Sequence, residues 1–216
     1  MKEYRTITAD GLTEEEIKKS RFICHLKRVK TEDEARDFIN YIKKEHYRAT
    51  HNCSAFILGE QMEIKRSSDD GEPSGTAGVP MLTVLENNHL TNVVAVVTRY
   101  FGGVKLGAGG LIRAYAGAVA HGLAEIGMVV VKEQQGIAIT MSYSQYQEFA
   151  NWRATHDLEE YDTAFLADIQ TMIFVDKENT QNIIDSLTEF YHGKVQVKTA
   201  EFRVVEVPVH CVSGFL

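Results

Sequence analysis

The segment from Val93 to Arg113, VVAVVTRYFGGVKLGAGGLIR, constrains this chain more than any other. Its first five residues are uninterrupted Val and Ala, the pattern of a strand covered on both faces. The glycines that follow lead into small residues among which Leu111, Tyr115, Val119 and Leu123 recur every four positions, with Ile112 and Ile126 beside them. A buried strand handed through a glycine turn to a helix belongs to a layered α/β fold. The charge of this region is equally unusual. Between Asn87 and Ala124 there is no Asp or Glu, although 30 acids spread over 216 residues would put about five there. Arg99, Lys105 and Arg113 carry the only full charges in that stretch. Glycine-rich backbone can aim its N–H groups at a ligand and a helix start adds partial positive charge, so the loop is expected to take an anion.

At 216 residues the chain can bury two modest cores. Its 44% hydrophobic and 25% charged residues suit a soluble globular protein. No apolar run approaches the roughly 18 residues of a membrane span, and the charged N-terminus lacks a signal-peptide pattern. The expected location is therefore cytoplasmic, without a membrane partner. Cys24, Cys53 and Cys211 are scattered and odd in number, which argues against a disulfide framework. The net charge of −7 argues against nucleic-acid binding by the whole surface. Its distribution qualifies this: residues 1–131 hold 17 Lys and Arg against 17 acids, and residues 132–216 hold 6 against 13.

Periodicity predicts the elements. Ser20 to Arg28 reads as a strand, followed by a capping box at Thr31 to Glu34 and a helix burying Ala35, Phe38, Ile39 and Ile42. His51 to Leu58 reads as a strand with a short partner at Met62 to Lys65, and Ser67 to Gly78 as a loop. A short helix over Val79 to Leu85, a strand over Asn92 to Arg99 and a helix over Gly109 to Ile126, stopped at Gly127, complete the first domain, residues 1–131. A second domain, residues 132–207, has strands at Gly136 to Tyr143, Leu158 to Ala164 and Asp168 to Val175. Its helices follow a capping box at Ser144 to Gln147 and span about Glu178 to Tyr191. A last strand carries Val195, Val197, Phe202 and Val204. The order βαββαβ is the ferredoxin-like split arrangement. Trp152 and Tyr146 are expected in its core or at a domain interface, and residues 208–216 form a tail.

Three blocks, HYRATHNCSAF (His46 to Phe56), DDGEPSGTAGVP (Asp69 to Pro80) and VTRYFGGVKLGAGGLIRAYAGAV (Val97 to Val119), closely resemble the IMPACT/YigZ family. The resemblance covers the N-terminal two thirds, and the βαββαβ part is similar to the second domain of the bacterial members, itself like the C-terminal domain of elongation factor G. It implies an N-terminal α/β fold of the type in the second domain of small-subunit ribosomal protein five. Eukaryotic relatives regulate translation by competing for the activator of a starvation-responsive initiation-factor kinase. They carry a different extra domain of which this chain has no sign, so that partner does not carry over. For bacterial relatives the resemblance implies nucleic acid or the translation machinery as partner and no settled reaction.

The glycine loop matches neither nucleotide motif: Ala108 and Gly109 stand where a Walker loop needs Lys and Ser or Thr, and Ile112 where a dinucleotide fingerprint needs a small residue. The expected anion or RNA site comprises Arg99, Tyr100, Gly102, Gly103, Lys105, Gly107, Gly109, Gly110 and Arg113. Tyr100 and Phe101 are available to stack on bases or to anchor the strand end. Arg113, in the first turns of a helix, calls for a compensating anion, either a bound phosphate or the acidic loop. Asp69, Asp70, Glu72, Ser74 and Thr76 are expected to face that site, as internal counter-ions of Arg99 and Arg113 in preference to Mg²⁺ ligands. His46, His51 and Cys53 have neither zinc spacing nor a fourth ligand, and a Cys53–His51 nucleophile lacks specified oxyanion donors. The reading is a non-enzymatic, translation-associated protein without metal or cofactor, binding RNA, a ribosome or translation-machinery protein, or a phosphate-like anion. The alternatives are a metal-assisted phosphoesterase using Asp69, Asp70 and Glu72, and a pure protein–protein adaptor.

Overall fold

The computed structural model describes residues 2–209, and the chain divides into two compact units. One comprises Lys2–Val131 together with residues 206–209, the other Lys132–Val205. The first unit runs β1 (Tyr4–Ile7), β2 (Gly11–Ile17), β3 (Ser20–Arg28), α1 (Glu32–Glu45), β4 (His51–Leu58), β5 (Ile64–Ser68), α2 (Gly78–Asn87), β6 (Val93–Tyr100) and α3 (Ala108–Ile126). Strands β2-β3-β6-β4-β5 form one sheet in that order. Its central strand is the Val-rich β6, antiparallel to β3 and β4, with Val93 to Val97 fully buried. Helices α2 and α3 cover one face, where Phe22, Cys24, Leu26, Cys53, Ala55 and Val97 meet Met81, Leu85, Leu111, Tyr115 and Val119. Helix α1 covers the other over Val29, Phe56, Leu58, Val94 and Val96. Burial on both faces explains why β6 has no polar alternation.

Thr31 caps α1 by accepting from the Glu34 N–H at 3.2 Å, while the Glu34 carboxylate accepts from the Lys30 N–H at 2.6 Å. The reciprocal half of the expected capping box thus falls one residue early. Strand β5 runs to Ser68, beyond the expected Lys65, because pairing with β4 (Ser54↔Ser68 to Leu58↔Ile64) draws in residues whose composition reads as loop. Strands β1 and β2 were not expected. The run Glu14 to Glu16 looks like a solvated stretch, yet on an edge strand with alternating exposure three carboxylates are tolerated.

The strand β7 (Met128–Met141) pairs with β1 at its start, Ile7↔Met128 to Tyr4↔Val131, and enters the second unit after Val131. There follow α4 (Tyr143–Thr155), β8 (Glu160–Phe165), β9 (Ile169–Val175), α5 (Thr180–Phe190) and β10 (Gln196–Pro208). The strand order β8-β9-β7-β10 is that of the ferredoxin-like arrangement. Ile137, Ile139, Phe149, Trp152, Ile173 and Leu187 make its core, and the half-buried Tyr146 packs against it. The capping box lies at Ser142 and Gln145, two residues before the expected one, since Ser142 accepts from the Gln145 N–H and Gln145 answers to the Ser142 N–H. Pro208 of the expected tail ends β10, and residues 210–216, Cys211 included, lie outside the described residues.

Candidate functional site

Strand alternation separates two neighbours that the sequence places in one site. Arg99 and Tyr100 leave β6 toward opposite faces of the sheet. Arg99, in register with Phe22 and His51, turns under α2 and α3 and is 5% exposed. Its Nη1 lies 2.6 Å from Glu72 Oε1 and its Nη2 3.4 Å from Ser20 Oγ. The Tyr115 hydroxyl donates to the same Glu72 oxygen at 2.8 Å, and His51 Nε2 stands 3.8 Å from the other. Arg99 is thus no ligand for an outside anion: Glu72 neutralises it within the fold. Tyr100 is half-buried on the α1 face with its hydroxyl 2.9 Å from His46 Nδ1, so it does not share the face of Arg99.

The acidic loop turns inward as well, in place of facing the glycine loop as a group. Asp69 accepts the N–H groups of Gly75, Ala77 and Gly78 at 2.8, 3.0 and 2.8 Å. Partial burial works against its ionisation, but these amides outweigh burial and hold its carboxyl below the usual range. Asp70 accepts from Lys43 Nζ and the Asn52 N–H, both at 2.6 Å. Thr76 is buried and donates to Pro73 O at 2.7 Å, while Ser74 is exposed. The counter-ion reading therefore holds for Glu72 with Arg99 and fails for Arg113. With each carboxylate engaged by protein donors the three do not converge, and among the described residues no group of three His, Cys, Asp or Glu could hold a metal ion.

His46 and His51 part company too, since His51 Nδ1 meets Asp70 O at 2.8 Å on the α2 side of the sheet. Cys53 donates to Asp69 O, and burial pushes its thiol up to about 12, far from the thiolate a nucleophile needs. Burial does the same to Cys24. His25, which the sequence reading passed over, is 7% exposed, 5.1 Å from the His46 ring and partnerless at Nε2.

The glycine loop itself is open. Lys105 and Arg113 are exposed and make no ion pair among the described residues, and Phe101, Val104 and Ile112 are exposed around them. Gly107 caps α3 at φ 72° with no side-chain cap, and the first helical bond is Leu111 N–H to Gly107 O at 2.9 Å. The N–H groups of Ala108, Gly109 and Gly110 consequently have no partner within the helix. The glycines differ in origin. A Cβ at Gly102 would overlap the Lys19 carbonyl and one at Gly110 would press on Leu106 at 2.9 Å, so packing demands both. Around Gly103 and Gly107 there is open space, and at Gly109 the nearest atom is Arg113 Nη1 at 3.7 Å.

Gly102 also reveals residues absent from the sequence reading. Its contact brings the β2–β3 hairpin tip, Lys18 and Lys19, against the loop. Both lysines adopt positive φ, 48° and 64°, and both are exposed. On the other side the Phe101 N–H donates to Thr50 Oγ1 at 3.2 Å, which brings up the turn of Tyr47 and Arg48. A Lys-Lys pair in a two-residue turn was the one signal available.

In the second unit a groove of about 440 Å³ is lined by Asn151, Trp152, Thr155, His156, Ser186, Glu189 and Phe190. Trp152 Nε1 donates to Ser186 Oγ at 3.3 Å, and Ser186 Oγ lies 3.0 Å from His156 Nε2. His156 Nδ1 lies 2.8 Å from Trp152 O, so these polar groups satisfy one another.

A two-domain mixed α/β protein with this loop and acidic segment has a counterpart among known families. The Impact N-terminal domain model matches residues 18–123, and a domain of unknown function, DUF1949, matches residues 139–194. The chain is 43% identical over 210 residues to the IMPACT family member YvyE of Bacillus subtilis (strain 168), covering 97% of each. It is 44% identical over 114 residues to the IMPACT family member YigZ of Escherichia coli (strain K12), 52% of this chain and 56% of that one. A crystal structure of a hypothetical protein superposes with TM-score 0.57 at 30% identity, covering 93% of this chain and 98% of that one. The chain belongs to the IMPACT family.

Proposed function

We propose that this chain is a translation-associated regulator that binds RNA at the glycine loop between β6 and α3. The translational part rests on the family, whose eukaryotic members the motif resemblance marks as regulators of translation. The RNA part rests on one observation: α3 begins without a side-chain cap, flanked by Lys105 and Arg113, which are exposed and make no ion pair among the described residues, in a stretch free of carboxylates. Exposed N–H groups and charge-assisted donors suit a phosphate oxygen. The acidic residues of the second unit repel phosphates, so that unit is assigned to protein contacts.

Ribosome co-sedimentation with and without nuclease tests the reading. Association lost on nuclease treatment supports RNA, and association that survives it supports the adaptor. Lys105→Ala with Arg113→Ala should weaken RNA binding and flatten its salt dependence by about two phosphate contacts. Binding indifferent to the double substitution sinks the site. The phosphoesterase reading is disfavoured by the engaged carboxylates, and calorimetry with Mg²⁺ should show no specific uptake.

A further inference from the structure

We infer that the partner strand is single-stranded RNA, read by Tyr47 and Phe101 as stacking surfaces between cations. The inference rests on the RNA reading above and adds the form of the nucleic acid. Tyr47 is 71% exposed and Phe101 46%. Each has a guanidinium near its ring, Arg48 at 5.3 Å from the Tyr47 centroid and Arg99 at 5.5 Å from that of Phe101. Arg99, itself pinned by Glu72, helps to fix the Phe101 ring without being available to solvent.

On the Phe101 side, Lys18 and Lys19 border Gly102 and Lys105 and Arg113 belong to the loop and the helix after it, all exposed and with no ion pair among the described residues, while the turn of Tyr47 reaches Phe101 through Thr50. The hairpin tip carries a second hint. Two-residue turns with positive φ at both positions favour Asn and Gly, and a Lys in that conformation is strained. The fold nevertheless holds two lysines there against Gly102. Of the acids nearby in sequence, Glu14 is taken by Arg21 at 2.6 Å, while Glu15, with a buried Oε1 that has no partner, and Glu16 remain as opposing charges.

Exposed aromatics interleaved with cations bind unstacked bases, because every base offers a π face to the ring and a phosphate to the cation. Duplex RNA buries those faces, and only its phosphates would engage the lysines.

Fluorescence anisotropy of the full chain with a labelled 12-nucleotide oligo(U), and with a 12-base-pair RNA duplex, at two salt concentrations decides the matter. The single strand should bind about tenfold more tightly. Tyr47→Ala and Phe101→Ala should each weaken it about tenfold and leave duplex binding unchanged. Lys18→Ala with Lys19→Ala should lower the salt slope for both forms by about one to two. Circular dichroism verifies that the variants fold, which the exposure of Tyr47 makes safe. Equal affinity for both forms, or indifference to both ring substitutions, overturns this inference and leaves a phosphate site. Binding of neither form sinks the RNA reading itself.

Discussion

The reassignment of Arg99 from ligand to internal counter-ion has a measurable consequence. Glu72→Ala would leave its guanidinium buried with only Ser20 Oγ, at 3.4 Å, while Nε already lacks a partner. Stranding one member of a buried pair costs about 3–5 kcal/mol, and the Tyr115 hydroxyl, deprived of its acceptor, adds about 1 kcal/mol. Removing both charges together, as in Glu72→Leu with Arg99→Met, should cost no more than about 2 kcal/mol, because no charge is then stranded. Native-state hydrogen exchange read by mass spectrometry on peptides of β4 and β6 measures this directly. Openings of this unit should become about 10³- to 10⁴-fold more populated in Glu72→Ala and much less so in the double variant. Trp152, the one tryptophan of the chain, lies in the second unit and gives an independent fluorescence reference. Protection altered by less than about tenfold in Glu72→Ala refutes the reasoning, and Arg99 then returns as a candidate ligand.

Burial holds His25 down to about 4 from its ordinary value of 6.5, with the nearby His46 adding to the effect. A depressed histidine lets the unfolded chain bind the proton first, so stability should be full above pH 6.5 and fall as the pH drops toward 4. His25→Phe should flatten that part of the profile in urea titrations, and an unchanged slope refutes the assignment. Gly102→Ala drives a methyl into the Lys19 carbonyl and should destabilise by about 2–3 kcal/mol in the urea midpoint. A loss below about 0.5 kcal/mol would show that the hairpin moves aside freely. Ser142→Ala removes a reciprocal cap and should cost about 1 kcal/mol, detected by Trp152 fluorescence because α4 carries both residues. If the cap instead belonged at Ser144, that variant would be silent.

The sequence disclosed the elements with strong periodicity and left dark those made by pairing. Strands β3 and β4 begin and end at the expected residues, because their apolar runs are bounded by polar turns. Strand β2 was hidden by its glutamates, and the C-terminal part of β5 by serines that pair only because β4 lies beside them. The acid-free stretch drew attention to Lys105 and Arg113, which are exposed, but Arg113 was expected to meet the acidic loop and makes no ion pair among the described residues. That stretch alone placed Arg99 in the anion site, whereas the acidic-loop reading had already offered Glu72, 27 residues earlier, as the counter-ion with which it pairs. Spacing could not reveal that Arg99 and Tyr100 face apart until the strand was extended to Tyr100, nor that Lys18 and Lys19 border Gly102 from 84 and 83 residues away.

Asp69 occupies the amides at the start of α2 as a phosphate would, and Thr31 does the corresponding service for α1. Two of the three helix origins in the first unit are therefore self-quenched by the chain's own oxygens. Under the proposed function, selectivity among these origins would need no recognition of shape: a visiting anion would be steered to α3 because its rivals are already satisfied.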